Sequence, residues 1–346
     1  MRKHLTLLLV LIVVAVGILY ALNKTNGAPN RVKNGFVRNF DGTTATLIKE
    51  ADFGWHFREV CGQQGDSLFL MGTDPTKIFM TNTNLSKLDT FNLDIPPIKR
   101  LAPAFRCNVI FPYAYIVSSN AQRIIKADLI TGKSEVRVLP FHGVFHNSVM
   151  LDSNRFVIRY IDTTTLNAKF KLMDGKGNIL ITEGNLSKPM QDAGFLYAGS
   201  LNYDKQSDKL VFATSYVNEL TCFDTMMKLN YNTQTIDTTH TLKTEIVHTK
   251  RGVTFKKPPI SINGHATIYN KTLYLRSKLM ADNEHNNDFD KNIVIDRYKI
   301  EDGHYLGSFY LPSLKGKDVL QYYFIGSNRI LGLSNDKIGV FNLTQP

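Results

Sequence analysis

The sequence is poor in the features that most directly declare a chemistry. It has three cysteines, Cys61, Cys107 and Cys222, too few for a disulfide framework, and none stands in a Cys-x-x-Cys or Cys/His metal spacing. Trp55 is the only tryptophan. Acidic residues are outnumbered, 30 against 41 Lys and Arg, but the resulting charge of +11 is spread along the chain and not blocked. That excludes a basic stripe for nucleic acid, and no nucleic-acid partner is expected. A Gly-x-Ser-x-Gly elbow, a phosphate loop, a dinucleotide fingerprint and a His-Glu-x-x-His helix are all missing, so the residues call for no cofactor, no metal and no catalytic group. Amphipathic helical periodicity is lacking as well.

The one long hydrophobic run is Leu5 to Leu22, interrupted by Thr6 and preceded by Arg2, Lys3 and His4. At about 1.5 Å per residue it is nearly long enough to span a bilayer, and longer than the apolar core of a cleavable signal. The expected organisation is a cytoplasmic stub at 1–4, a signal anchor at 5–22, a flexible Asn-, Gly- and Pro-rich linker at 23–35 and one domain at 36–346. The basic residues before the run place that domain on the extracytoplasmic, periplasmic side, or in the secreted fraction if the segment is cleaved.

What the chain has in abundance is short strands with turn punctuation. The cleanest copy is Lys169 to Leu186: Phe170 and Leu172 alternate with polar neighbours, Asp174 to Asn178 supplies residues that tolerate positive φ, and Ile179 to Thr182 runs back. Five sets of four such strands can be read. The first is Trp55–Val60, Ser67–Met71, Ile78–Thr83 and Leu88–Leu93. The second is Cys107–Phe111, Tyr113–Ser118, Arg123–Leu129 and Ser134–Leu139. Val144–Leu151 and Arg155–Ile161 join the hairpin above in the third. The fourth is Leu196–Tyr203, Lys209–Ala213, Cys222–Tyr231 and Thr235–Leu242, and the fifth is Ile262–Ile268, Thr272–Arg276, Asn292–Lys299 and His304–Leu311. A sixth set, Leu320–Ile325, Arg329–Leu333 and Lys337–Leu343, lacks its last strand, which the unassigned segment Phe36–Glu50 can supply. Turns recur at spacings of roughly 45 residues early and roughly 60 to 70 late, the range of four-stranded blades with insertions. Pro258, Pro259 and the basic residues of 243–263 argue for a connection there and against a seventh blade.

The recurrent turns Asp128–Lys133, Met173–Asn178 and Ile300–His304 make residues 36–343 resemble the six-bladed β-propeller superfamily of TolB-like and NHL-like proteins. The resemblance implies an all-β fold, a ring closed by an N-terminal strand behind one transmembrane helix, and no particular activity.

In such a ring the first strand of each blade lines a central channel. Phe57-Arg58, Phe105-Arg106 and Phe145-His146 each set an aromatic beside a cation-capable residue, and His265 falls in the matching part of the fifth set. Alternation would bury the Phe and turn Arg58, Arg106, His146 and His265 to the channel mouth, a site for a small anion or an acidic side chain of a protein partner. The alternative is that these arginines pair with acids such as Glu59 or Asp66. Cys61 and Cys107, close behind the Phe-Arg pairs, are candidates for one disulfide on adjacent inner strands. Lactone-hydrolysing propellers hold a channel metal with Glu, Asn and Asp, and Glu59, Asn147 and Asn202 are the residues here that could be offered for it.

Three other stretches carry less. Asp288, Asp290 and Asn292 open like a calcium loop, but Ile293 and Lys299 stand where the turn Gly and bidentate Glu belong, which leaves a solvated insertion. His248–Pro259 reads as a basic connecting loop. The Asn-x-Ser/Thr sequons at Asn23, Asn84, Asn185, Asn270 and Asn342 are unsurprising in an Asn- and Thr-rich chain. The expected protein is a membrane-anchored binding or scaffolding module. The competing expectation is a channel-centred enzyme, a metal-dependent lactonase-like hydrolase or a subunit of a redox complex.

Overall fold

A computed structural model describes residues 11–17, 33–101, 105–140, 144–190, 192–241, 244–249 and 252–345. The chain divides into the units Met1–Asn34 and Gly35–Pro346. In the first, residues 11–17 are helical and exposed, and the rest of the expected anchor at 5–22 lies outside the described residues. Among the described residues no helix is long and apolar enough to cross a membrane.

Among the described residues the second unit has 26 strands. After β1 (Thr44–Ala51), blade 1 comprises β2 (Glu59–Gln64), β3 (Ser67–Met71), β4 (Lys77–Asn82) and β5 (Leu88–Asn92). Blade 2 is β6 (Phe105–Ile110), β7 (Tyr113–Ser118), β8 (Arg123–Asp128) and β9 (Ser134–Val138). Blade 3 is β10 (Val144–Asp152), β11 (Arg155–Ile161), β12 (Ala168–Asp174) and β13 (Ile179–Thr182), and blade 4 is β14 (Gly199–Asp204), β15 (Lys209–Thr214), β16 (Glu219–Asp224) and β17 (Leu229–Gln234). A separate hairpin, β18 (Ile246–Thr249) and β19 (Gly252–Phe255), precedes blade 5, which is β20 (Asn263–Tyr269), β21 (Thr272–Ser277), β22 (Asn292–Lys299) and β23 (Tyr305–Pro312). Blade 6 is β24 (Gln321–Gly326), β25 (Arg329–Leu333) and β26 (Ile338–Thr344), with β1 as its outermost strand, Thr44 opposite Thr344 and Ala51 opposite Ile338. Every pairing within a blade is antiparallel, so each blade is a meander.

The second strand of each blade explains why these sheets stack in a ring. Ser67–Met71, Tyr113–Ser118 and Lys209–Thr214 are buried on both faces, so their side chains form almost continuous apolar runs. A sheet apolar on both faces must be covered on both, which a neighbouring blade on each side achieves. Between blades 1 and 2 Phe69 and Ile78 meet Ile116 and Ile125. Between blades 3 and 4 Phe170 and Leu172 meet Phe212 and Leu210. Leu68 and Leu70 of blade 1 pack against Leu331 and Val340 of blade 6, so the last interface has the same character as the others.

The hairpin at Asp174 is made by its carboxylate, which accepts the backbone N–H groups of Lys176 and Asn178 at 2.8 Å, while Gly177 takes φ of 91°. Blade 4 departs from the sequence expectation. Its final turn lies at Asp224–Lys228, inside the segment read as the strand Cys222–Tyr231, because Asp224 caps Met226 and Lys228 in the same way and Met227 takes φ of 62° without a glycine to mark it. Thr235–Leu242 is consequently not the outer strand. The basic stretch His248–Pro259, read as a loop, contributes to the β18–β19 hairpin.

Ahead of β1 the chain is strapped to blade 5. Buried Arg38 gives Nε to Asp296 at 2.8 Å, Nη2 to Ser277 Oγ at 2.6 Å and Nη1 to the Leu279 carbonyl at 3.0 Å and to the Glu284 carboxylate. Asn283 brackets the Arg38 backbone with two hydrogen bonds, and Arg297 pairs with Asp41. The segment around Asp288, expected as a solvated insertion, therefore holds the strap through Glu284, which is 9 % exposed.

Candidate functional site: the central channel

Residues of all six inner strands, or immediately before them, converge on a cavity of about 420 Å³: Glu59 and Val60, Arg106 to Asn108, Asn147 and Ser148, Gly199 to Asn202, Gly264 to Thr267, and Leu320, Gln321 and Tyr323. Bulges in β2 between Val60 and Gly62, in β10 between Phe145 and Asn147, and in β20 between Asn263 and Ala266 break the strict alternation and re-aim the side chains there. Gly62 permits β2 and β6 to come together at the wall, since a Cβ on it would lie 2.6 Å from the Val109 carbonyl oxygen.

Two of the four sequence-derived residues line this cavity. Arg106 does, with its side chain 48 % exposed, and it gives Nη1 to Glu59 Oε2 at 3.0 Å. Glu59 Oε1 accepts the Cys107 backbone N–H at 3.0 Å. Burial by itself would lower the Arg106 pKa, but the adjoining Glu59 carboxylate outweighs it and holds the guanidinium above its ordinary value. His265 also lines the cavity. Its Nε2 donates to the Tyr322 carbonyl at 2.9 Å, and its ring meets that of Tyr322 edge-on at 5.0 Å. Burial lowers its pKa to about 4, the Tyr322 bond opposing and Arg106 and Arg276 adding to the effect, so the ring is neutral at pH 7.

Arg58 stands apart from the lining. The first strand begins at Glu59, later than the expected Trp55, and the Arg58 guanidinium lies 5.0 Å over the Phe105 ring of the next blade. His146 falls on β10, and its side chain lies outside the described residues. Cys61 and Cys107 do come together from adjacent inner strands, but as buried free thiols and not as a disulfide; burial and then the Cys61 neighbour push the Cys107 thiol well up.

The remaining polar side chains of the lining are uncharged, beside the apolar Val60, Leu201, Ala266 and Leu320. Asn147 Nδ2 donates to the Gly199 carbonyl at 2.8 Å, while its Oδ1 and the Ser148 Oγ are buried without a protein partner among the described residues. Asn202 bonds Ser200 Oγ at 3.1 Å, and the Tyr323 hydroxyl gives its proton to Gln321 at 2.6 Å. The cavity thus offers one guanidinium, one carboxylate already bonded to it, a neutral imidazole and unsatisfied amide and hydroxyl groups. That set suits recognition of a small polar molecule. Asn108, Ser148 and Gln321 were not singled out from the sequence, where inner-strand Asn and Ser look like any other polar residue in a strand.

The fold is a six-bladed β-propeller. In structure the chain is similar to a member of the DUF4221 family from Bacteroides vulgatus, with a TM-score of 0.51 at 11 % identity, over 91 % of this chain and 100 % of that one. A PQQ-bound aldose sugar dehydrogenase from Streptomyces coelicolor aligns with a TM-score of 0.52 at 9 % identity, over 88 % of this chain and 100 % of that one. At such identities the likeness concerns the propeller architecture alone. No family model and no curated protein matches the sequence.

Proposed function

We propose that the protein is a binding propeller of the TolB-like and NHL-like kind, held to a membrane by residues 5–22 and presented on the extracytoplasmic, periplasmic side by the linker 23–35. Its channel mouth takes a small anion or an acidic side chain of a protein partner. The observation that carries this reading is Arg106. One of its nitrogens is engaged by Glu59, while the rest of the guanidinium, without a further protein partner among the described residues, opens onto the cavity. A planar guanidinium can hold carboxylate oxygens in two parallel bonds, and Ser148 Oγ is a second donor in the same cavity. The apolar run behind Arg2 and Lys3 supports the anchor.

The hydrolase reading has one observation in its favour: Glu59, Asn147 and Asn202 do share the cavity. A divalent cation does not fit them as they stand. Both Glu59 oxygens are hydrogen-bonded, and the Arg106 charge, 3.0 Å from one of them, occupies the electrostatic place a cation would take.

The test is a titration of the full chain, its histidines ring-labelled, with acetate and malonate, following the His265 ring resonances assigned through His265→Gln. The anion shifts these resonances in the native chain and not in Arg106→Ala. Shifts of equal size in both proteins, or none in the native chain, would overturn the proposal.

A further inference from the structure

Among the described residues three arginines are buried in the propeller, and they are not alike. Arg38 is bonded to Glu284 and Asp296, and Arg297 to Asp41. Arg159, 3 % exposed, has no carboxylate within ion-pair distance among the described residues. It sits on β11, a second strand that begins at exposed Arg155 and whose remaining residues, Phe156 to Ile158, Tyr160 and Ile161, are apolar or aromatic and buried. Its Nη1 makes one long bond to the Gly194 carbonyl at 3.3 Å, its Cζ stands 5.1 Å over the Phe212 ring, and its Nε has no partner among the described residues. The nearby acids bond first to the backbone, and Glu183 keeps its Oε1 buried without a partner among the described residues. Asp192 accepts the N–H groups of Gly194 and Leu196, and Glu183 those of Leu186 and Ser187. Burial pulls the Arg159 pKa down to about 10, Asp192 and Glu183 opposing, so the group remains charged at neutral pH.

Removing a charge from water is costly, and Asp192 and Glu183, acting from beyond ion-pair distance, offset part of that cost for Arg159 without supplying a hydrogen bond to its Nε. Arg159 faces a cavity of about 430 Å³ between blades 3 and 4. Phe170, Phe212 and Leu186 make its apolar wall, Tyr197, Thr221, Asn232 and Gln234 supply polar edges, and Lys188 and Glu219 stand at the rim, neutralising each other at 2.9 Å. Gly194 holds the guanidinium from behind. It takes φ of 71°, which favours glycine, and a Cβ there would lie 2.7 Å from Nη1 and push the guanidinium aside.

We propose that this cavity is a binding site for a small organic monocarboxylate, with Arg159 as the anchor for its carboxylate and the Phe170–Phe212 wall for its apolar body. With Asp192 and Glu183 both acting on Arg159, the site has no surplus of positive charge, which favours a single negative charge over a doubly charged phosphate. The aromatic wall, its two rings edge to face at 5.3 Å, selects a ligand with a ring or short hydrocarbon body over a bare inorganic ion. The site lies away from the channel and shares no lining residue with it.

The test compares thermal melts and equilibrium binding of the full chain with phenylacetate and with inorganic phosphate, both at millimolar concentration. Phenylacetate raises the melting temperature of the native chain and phosphate does not. Arg159→Met, which keeps the volume and removes the guanidinium, binds phenylacetate about a hundredfold more weakly. Asn232→Trp, on the exposed outer strand β17, leaves Arg159 in place, narrows the mouth and also loses the response. A phenylacetate affinity in Arg159→Met equal to that of the native chain would overturn the proposal. So would a phenylacetate response that survives in both variants, which would put the anion in the channel instead, or a native chain that responds to phosphate as strongly as to phenylacetate.

Discussion

Replacing His265 with Gln tests the charge state of the channel. The ring is wedged between Tyr322 and Tyr323 with its Nε2 bound to a carbonyl, and burial is the main reason its pKa falls from 6.5 to about 4. In the unfolded chain the same imidazole titrates near its ordinary value. Between pH 6.5 and about pH 4 the unfolded state therefore takes up a proton that the folded state refuses. This contribution to stability is fully present above pH 6.5 and is lost as the pH falls toward 4. A shift of one unit corresponds to about 1.4 kcal/mol, so the loss over that window is about 3 kcal/mol. Urea unfolding of the native chain and His265→Gln, measured in steps from neutral pH to pH 4, isolates the effect, since every other titrating group is common to both proteins. The native chain should lose about 3 kcal/mol more than the variant on acidification. A difference that stays constant with pH, or a His265 ring resonance that titrates near its ordinary value, refutes the reasoning and would give the channel a second cation.

Two further outcomes are expected. Arg38→Ala leaves Glu284 and Asp296 buried together without their counterion and should cost about 4 kcal/mol. Over a unit of about 310 residues that lowers the melting temperature by about 6 °C, and a scanning-calorimetry shift below about 1 °C would show that the strap contributes little to the ring. Elemental analysis of the full chain purified without chelators should find no stoichiometric calcium or zinc, because Arg106 competes for Glu59; one equivalent of either metal would revive the hydrolase reading.

Local chemistry made much of this architecture readable in the sequence alone. A turn such as Asp174–Asn178 is written in adjacent residues, and a strand buried on both faces shows as an unbroken apolar run, so the six repeated sets could be counted before any coordinates existed. Where the signal was weaker the reading slipped. The Asp224–Lys228 turn carries no glycine, and the start of β2 at Glu59 is set by pairing with Met71, a partner twelve positions away. The site was less legible still. Bulges in β2, β10 and β20 decide which inner-strand side chains face the axis, and a bulge is a property of two paired strands, not of one. His265 lies within the β20 bulge, whereas Arg106, on the regular strand β6, reaches the channel by simple alternation and meets Glu59 of the neighbouring blade there. The same holds for the buried charges. The sequence determined that an arginine would interrupt an apolar strand at position 159 and that another would precede β1 at position 38. Only the tertiary structure decided that Arg38 would meet two carboxylates from 246 and 258 positions away while Arg159 would meet none, because the energy of a buried charge depends on what the fold places beside it.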